Sequence, residues 1–334
     1  MARGLYVHHP LSLAHDTGPH PENAARLRAI EVALAGRDWL GLERAEAPEA
    51  TREQLERVHD SDHIDRVREL CARGGGMIDL DTVVSAESYK AALRAAGGAA
   101  WAAERLLDGE ADFAFCALRP PGHHAEAGAA MGFCLFNNIV VAIEHARVER
   151  GLERAFVLDW DVHHGNGTAA IYAASDQVLY ASIHQSPLYP GTGAAGDVGV
   201  GPGVGWTVNM PVPPGTGGGL FLALVEHVVV PIARDVRPGL IAISAGYDAH
   251  SADPLAECEL DEAAYEQMAV RIRSVAAELG APILLCLEGG YHIDALGRSV
   301  VATIEGLASK DSPASVPRDP AESYLARVRE HWAI

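Results

Sequence analysis

The stretch Asp159-Trp160-Asp161-Val162-His163-His164-Gly165-Asn166-Gly167-Thr168 follows an apolar run, Ala155 to Leu158. Four consecutive apolar residues without alternation read as a strand buried on both faces, as in a parallel sheet. The run then breaks into Gly-Asn-Gly and a short helical pattern, Thr168 to Ala173. In open α/β sheets, ligands gather outside the carboxyl ends of the strands. Alternation carried along the strand end points Asp159, Asp161 and His163 the same way. A lone Asp-x-His reads better as a capping aspartate and a satisfied core histidine. Several polar groups in one turn after a buried strand favour a site instead. Two carboxylates buried side by side are costly unless a cation or hydrogen-bond donors compensate, and a metal ion is the simplest compensation.

Working outward, strand and helix patterns alternate along the chain. Strands are expected at Gly4–His8, Asp112–Leu118, Gln177–Ile183, Thr207–Met210, Leu240–Ser244 and Pro282–Leu287. Between them lie helical patterns at 23–35, 51–58, 61–72, 85–107, 138–150, 220–234, 261–279 and from His292 to about Leu307. Thr51 is the expected N-cap of the second of these. Loops are expected at His9–Glu22, at the acidic stretch Met77–Val84, and at Gln185–Gly205. The order implies an α/β fold with a mainly parallel central sheet flanked by helices. One domain spans 1–310, and 311–334 reads as a Pro-rich linker and amphipathic helix packed on that domain.

Bulk properties exclude some partners. The formal net charge of −19 argues against a nucleic-acid backbone and is compatible with a cationic substrate. Five scattered cysteines without a Cys-x-x-Cys motif imply buried reduced thiols and a reducing, cytoplasmic compartment. No signal peptide opens the sequence, and no apolar run reaches the roughly 18–20 residues of a spanning helix.

Four strands end in polar clusters: Arg119-Pro120-Pro121-Gly122-His123-His124-Ala125, the Asp159 turn, Asp248, and Tyr291 behind Gly289-Gly290. Asp161, His163 and Asp248 form an Asp/His/Asp ligand set that leaves positions open for water and substrate, as catalytic zinc sites do. Singly, Asp248 would be a turn aspartate, the tandem histidines surface residues and Tyr291 a rim residue. Together they converge on one sheet edge. Asp159 would orient His123, and Asn166 would orient His124. A His–carboxylate pair stays charged more readily than a His–amide pair. His124 is therefore the expected general base and His123 the more cationic electrostatic partner. The Tyr291 phenol would donate to a developing oxyanion.

The motifs RPPGHHA (Arg119–Ala125), MGFCLFNN (Met131–Asn138), DWDVHHGNGT (Asp159–Thr168), SAGYDAHSADPL (Ser244–Leu255) and EGGY (Glu288–Tyr291) resemble the histone deacetylase family. They are closest to its class II branch and to the bacterial deacetylase-like amidohydrolases, which are related to the acetylpolyamine amidohydrolases. The resemblance runs from Gly4 to Leu307, in family order. It implies the single-domain arginase–deacetylase fold and zinc-dependent hydrolysis of an acylated amine, such as acetyl-lysine or an acetylated polyamine. It implies zinc ligands Asp161, His163 and Asp248, and catalytic His123, His124, Tyr291, Asp159 and Asn166. It also implies a potassium ion held by the side chains of Asp159 and Ser182 and the carbonyls of Asp161, His163 and Ile183.

A substrate tunnel would be lined by Gly132, Phe133, Tyr189 and Leu255. Tyr189 stands where a second phenylalanine is usual. Leu255 stands where polyamine-selective members carry an acidic residue, which disfavours that selectivity. Asp79 and Asp81 are both candidates for the rim aspartate that contacts substrate. A dinuclear arginase-like site would need another carboxylate where Ala249-His250 follow Asp248. A catalytically silent acyl-lysine-binding module would be expected to have lost a ligand or the tyrosine. The loop His9–Glu22 would line the rim or build an oligomer interface.

Overall fold

The computed structural model describes residues 2–334. Eight strands form one sheet: β1 (Gly4–His8), β2 (Glu43–Glu46), β5 (Phe113–Cys116), β6 (Ala155–Asp159), β7 (Val178–Gln185), β8 (Thr207–Val212), β9 (Leu240–Ala245) and β10 (Ile283–Leu287). Their spatial order is β2-β1-β5-β10-β9-β6-β7-β8, with every pairing parallel. All carboxyl ends therefore face one edge. Two short strands, β3 (Gly75–Met77) and β4 (Val83–Ser85), form a separate antiparallel hairpin.

Side chains along each strand alternate between two apolar clusters. Phe113, Phe115, Phe156 and Leu158 enter one; Ala114, Cys116, Ala155 and Val157 enter the other. The period of two thus buries both faces of the sheet and explains the continuous apolar runs. The first cluster takes Leu27, Ile30 and Leu34 from the helix Ala25–Ala35, and Leu325 and Val328 from the terminal helix Glu322–Val328. The second takes the alanine face of the helix Ser88–Leu107 and the apolar face of Asn138–Arg150. At Gly97 and Gly98 the first of these helices meets the chain closely. A Cβ on Gly97 would lie 2.3 Å from the Ala50 nitrogen, and one on Gly98 2.6 Å from the Ala47 Cβ.

Several expectations change. Strand β2, Glu-Arg-Ala-Glu, carries no apolar signal because it is the mostly exposed edge of the sheet. The acidic loop Met77–Val84 begins and ends in the β3–β4 hairpin. The expected loop His9–Glu22 contains one helical turn, Leu11–Ala14. The expected continuous helix over 220–234 is interrupted: Gly218–Leu224 passes through a wider turn at Val225–Val229 into Val230–Val236. Pro231 explains the interruption, since it has no N–H to give and its ring clashes with a regular preceding turn. Thr51 caps its helix as expected. Its hydroxyl accepts from the Gln54 amide nitrogen at 3.1 Å, and Gln54 Oε1 accepts from the Thr51 amide at 2.8 Å.

Candidate active site

Strand β6 stops at Asp159, so strand alternation does not aim the residues beyond it. Two aspartate turns do so instead. Asp159 Oδ1 accepts from the Asp161 amide at 3.2 Å, and Asp161 Oδ1 accepts from the His163 amide at 2.9 Å. β9 lies beside β6, with Asp159 paired to Ser244. The chain leaving β9 therefore brings Asp248 to the same point.

Ligand-type atoms of Asp161, His163 and Asp248 lie within 4.8 Å of one another, and all three residues are buried. His163 Nδ1 is 3.1 Å from both Asp161 Oδ1 and Asp248 Oδ2. One imidazole proton cannot serve two carboxylates equally. An ion with metal–ligand bonds of roughly 2.0–2.2 Å in tetrahedral geometry would separate its ligands by about 3.3 Å, close to this spacing. The outer carboxylate oxygens are anchored by backbone donors: Gly289 to Asp161 Oδ2 at 2.7 Å, and Val162 to Asp248 Oδ1 at 2.9 Å. Burial opposes a charged His163, but its hydrogen bonds to Asp161 and Asp248 raise the imidazole to about 10. The two carboxylates thus favour a positive charge at this point, of the kind a divalent cation would supply. The donor set fits such an ion.

The tandem histidines come from the loop after β5, and their rings lie 4.0 Å apart between centroids. His123 Nδ1 donates to Asp159 Oδ2 at 3.0 Å, and that oxygen also accepts from the Tyr180 hydroxyl at 3.0 Å. Burial would drive the proton off His123, but Asp159, Asp161 and Glu288 outweigh it and lift the ring to about 10. His124 Nδ1 pairs with Asn166 Oδ1 at 2.9 Å. Burial, then the charges of His123 and His163, push His124 well below its ordinary value. The two adjacent rings are thus shifted in opposite directions, His123 upward and His124 downward.

Tyr291 edges onto the Phe133 ring at 5.8 Å. Burial, then Asp248, hold its phenol well above the ordinary value, so it keeps its proton. A cavity of about 240 Å³ is lined by Asp81, His124, Gly132, Phe133, His163, Leu188, Tyr189, Leu255 and Tyr291. The four expected tunnel residues are all in that lining. Asp81 lies at this cavity, whereas Asp79 Oδ1 accepts from the amides of Asp81 and Thr82 at 3.1 and 2.6 Å and so shapes the turn. The His9–Glu22 segment reaches the rim through His20, whose ring edges onto Phe133 at 4.5 Å and whose Nε2 donates to the Asp81 carbonyl at 3.0 Å.

Asp159 and Ser182 are register partners on β6 and β7, both fully buried, with Ile183 next along β7. The Ser182 hydroxyl donates to His184 Nδ1 at 2.9 Å, since His184 Nε2 donates to the Gly193 carbonyl. A second buried trio of possible ligands, His123, Cys134 and Glu288, lies nearby. There Glu288 Oε2 accepts from the Gly122 and His123 amides at 2.6 and 3.1 Å, and Cys134 Sγ donates to the Gly132 carbonyl at 3.3 Å, while the buried Glu288 Oε1 has no hydrogen-bond partner among the described residues.

Sequence reasoning missed the groups that hold the site in place. Glu288 clamps the tandem-histidine loop through those two amides. Asp253 Oδ2 accepts from the Tyr291 amide at 2.7 Å, fixing the tyrosine's backbone. Beneath them, fully buried Glu22 takes both Arg119 and Arg26. Arg119 bonds it through Nε and, at 2.7 Å, through Nη2, while Arg26 Nη1 reaches it at 3.1 Å. Arg26 also donates to the Glu288 and Gly290 carbonyls, tying this ion cluster to the Tyr291 segment. The only sequence sign of the cluster is the i,i+4 pair Glu22–Arg26, which reads as an ordinary surface pair.

An all-parallel α/β sheet thus gathers an Asp/His/Asp cluster, paired histidines and a tyrosine at its carboxyl edge. Residues 20–307 match the family model for the histone deacetylase domain. A probable deacetylase of Methanothermobacter thermautotrophicus is 42% identical over 310 residues, covering 92% of this chain and 91% of the relative. A histone deacetylase-like amidohydrolase of Pseudomonas aeruginosa is 37% identical over 329 residues, covering 96% and 83%. The crystal structure of the HDA15 HD domain superposes with a TM-score of 0.91 at 35% identity, over 99% of this chain and 95% of that one. The chain belongs to the histone deacetylase family. Among the described residues no helix is long and apolar enough to cross a membrane.

Proposed function

We propose that this chain is a zinc-dependent amidohydrolase that removes an acetyl or other short acyl group from an amine, acetyl-lysine or a similar acylated amine. The observation that carries the reading is the convergence of Asp161, His163 and Asp248 beside His124 and Tyr291 at one narrow cavity. Asp161, His163 and Asp248 would hold the ion. When bound, it would polarise the amide carbonyl and make a water more acidic. Phe133, Tyr189 and Leu255 would pack an extended aliphatic chain and exclude solvent. His124 would take the proton of the attacking water on its unprotonated ring nitrogen. Tyr291 would donate to the carbonyl oxygen as it gains charge. Protonated His124 would then return its proton to the leaving amine, giving a carboxylate and a free amine. His123, held cationic by Asp159, would favour the negative charge that develops nearby. Asp81 at the rim would contact the substrate's polar backbone. A potassium ion held by Asp159, Ser182 and Ile183, with the carbonyls of Asp161 and His163, belongs to the same reading. Five buried free cysteines support a reducing, cytoplasmic setting.

Zinc-loaded protein should release acetate from acetyl-lysine peptides faster than from acetylated polyamines, and a chelator should abolish the activity. Replacing Tyr291→Phe should lower kcat by about 10²–10³-fold without altering metal content. Metal-loaded protein that hydrolyses no acylated amine would overturn the proposal.

A further inference from the structure

Asn166 presents its two ends to different neighbours. Its Oδ1 faces His124 Nδ1 at 2.9 Å. Its Nδ2 faces Glu126 Oε1 at 2.8 Å, Met131 Sδ at 3.3 Å and the His124 carbonyl at 3.4 Å. All three of these are acceptors, and the carboxylate oxygen is the strongest and nearest. The amide therefore turns its NH2 toward Glu126 and its oxygen toward the ring. An amide oxygen only accepts, so His124 Nδ1 must carry the proton and Nε2 must be left with its lone pair. A flipped amide would offer N–H to Nδ1, move the proton to Nε2 and remove the base.

The backbone of Glu126 is held on both sides. Its amide donates to the Ala129 carbonyl at 2.9 Å, and its carbonyl accepts from His59 Nδ1 at 3.0 Å. His59 has no freedom to reverse this bond, because its Nε2 accepts from the Asn137 amide at 2.9 Å. Glu126 does not line the substrate cavity. Glu126 is half-buried, and among the described residues its side chain makes no other hydrogen bond or ion pair.

We propose that Glu126 is a positioning residue: through Asn166 it selects the tautomer of His124 that can act as a base. The interposed amide carries the orientation of a carboxylate to the ring without placing a carboxylate against it. This separates His124 from His123, which Asp159 touches directly. The catalytic consequence rests on the role of His124 proposed above; the tautomer does not.

The test compares Glu126→Leu and Glu126→Gln with the unaltered protein. Two-bond nitrogen–proton spectra of histidine-labelled, metal-free protein report which ring nitrogen carries the proton, with the His124 signal assigned by its loss in His124→Gln. Unaltered protein and Glu126→Gln, whose amide oxygen can replace the carboxylate, should show the Nδ1–H form. Glu126→Leu should show a mixed or Nε2–H signal. In metal-loaded protein Glu126→Leu should lose about 10- to 100-fold in kcat, with KM little changed, and Glu126→Gln should recover most of it. An unchanged tautomer in Glu126→Leu overturns the proposal, whether or not activity falls. A changed tautomer in a protein that hydrolyses nothing would leave this inference standing and remove the functional one.

Discussion

Gly289 is not among the proposed ligands, yet replacing it with alanine should cost the chain the ion proposed for Asp161, His163 and Asp248. Its Cβ would lie 1.9 Å from Asp248 Oδ2 and 2.7 Å from Asp161 Oδ2. Real Cβ contacts do not fall below 3.0 Å, so the Asp248 carboxylate would have to retreat by roughly 1 Å. That is several times the tolerance of about 0.2 Å that metal–ligand distances allow. Changes to groups that merely support a ligand cost about 10- to 100-fold in metal affinity. Displacing a ligand oxygen should therefore cost at least about 100-fold. Gly289 lies outside the left-handed region, unlike its neighbour Gly290 at φ 116°, so alanine brings no backbone strain of its own. The variant should keep its circular dichroism spectrum and lose zinc on dialysis against a weak chelator that leaves the unaltered protein loaded. Retention of one ion per chain, with affinity within about threefold of the unaltered protein, would refute the placement of Asp161 and Asp248 around a shared cation.

Two further outcomes follow from the ion cluster and buried histidines beneath the site. Arg119→Ala should destabilise the fold by about 3–5 kcal/mol in urea melts, because it leaves the fully buried Glu22 carboxylate with Arg26 as its main counter-charge; a loss under about 1 kcal/mol would contradict this. Acid should weaken the fold in two stages. Burial pushes the His15 and His59 imidazoles from 6.5 to about 4. Their contribution is full above 6.5 and disappears as pH falls toward 4, a loss of about 2 kcal/mol each by pH 5. Burial alone would raise Glu22, but Arg119 and Arg26 hold it at about 2 against an ordinary 4.5, so its contribution goes between those values. Urea midpoints that stay level from pH 7.5 to pH 5 would be inconsistent with the two histidines being buried and neutral.

The local pattern carried much of the fold. Strands with both faces buried announce themselves, as Ala155–Leu158 does, because every position must be apolar. Edge strand β2 does not, since most of its side chains meet water. Pro231 was visible, but whether a helix ends there or widens depends on what packs around it. At the site, residue types were legible because metal ligation and proton transfer need particular side chains. Their supports were less so. Glu288, Asp253, Glu22 and Glu126 look like ordinary acidic residues until their backbone, guanidinium or amide donors arrive from 38 to 166 residues away.

By itself, the sequence determined which groups were available: two aspartates and a histidine able to bind a cation, two histidines, a tyrosine, and strands and helices in alternating order. Chain folding decided which of them meet. Asp248 reaches His163 because β9, not a sequence neighbour, pairs with β6 and both strands run the same way. The proton affinity of each tandem histidine was likewise set in space: against burial, Asp159, Asp161 and Glu288 raise His123, whereas burial, then the charges of His123 and His163, lower His124. Strand order and hydrogen-bond polarity are properties of contacts between distant segments, and one-dimensional periodicity carries no record of them.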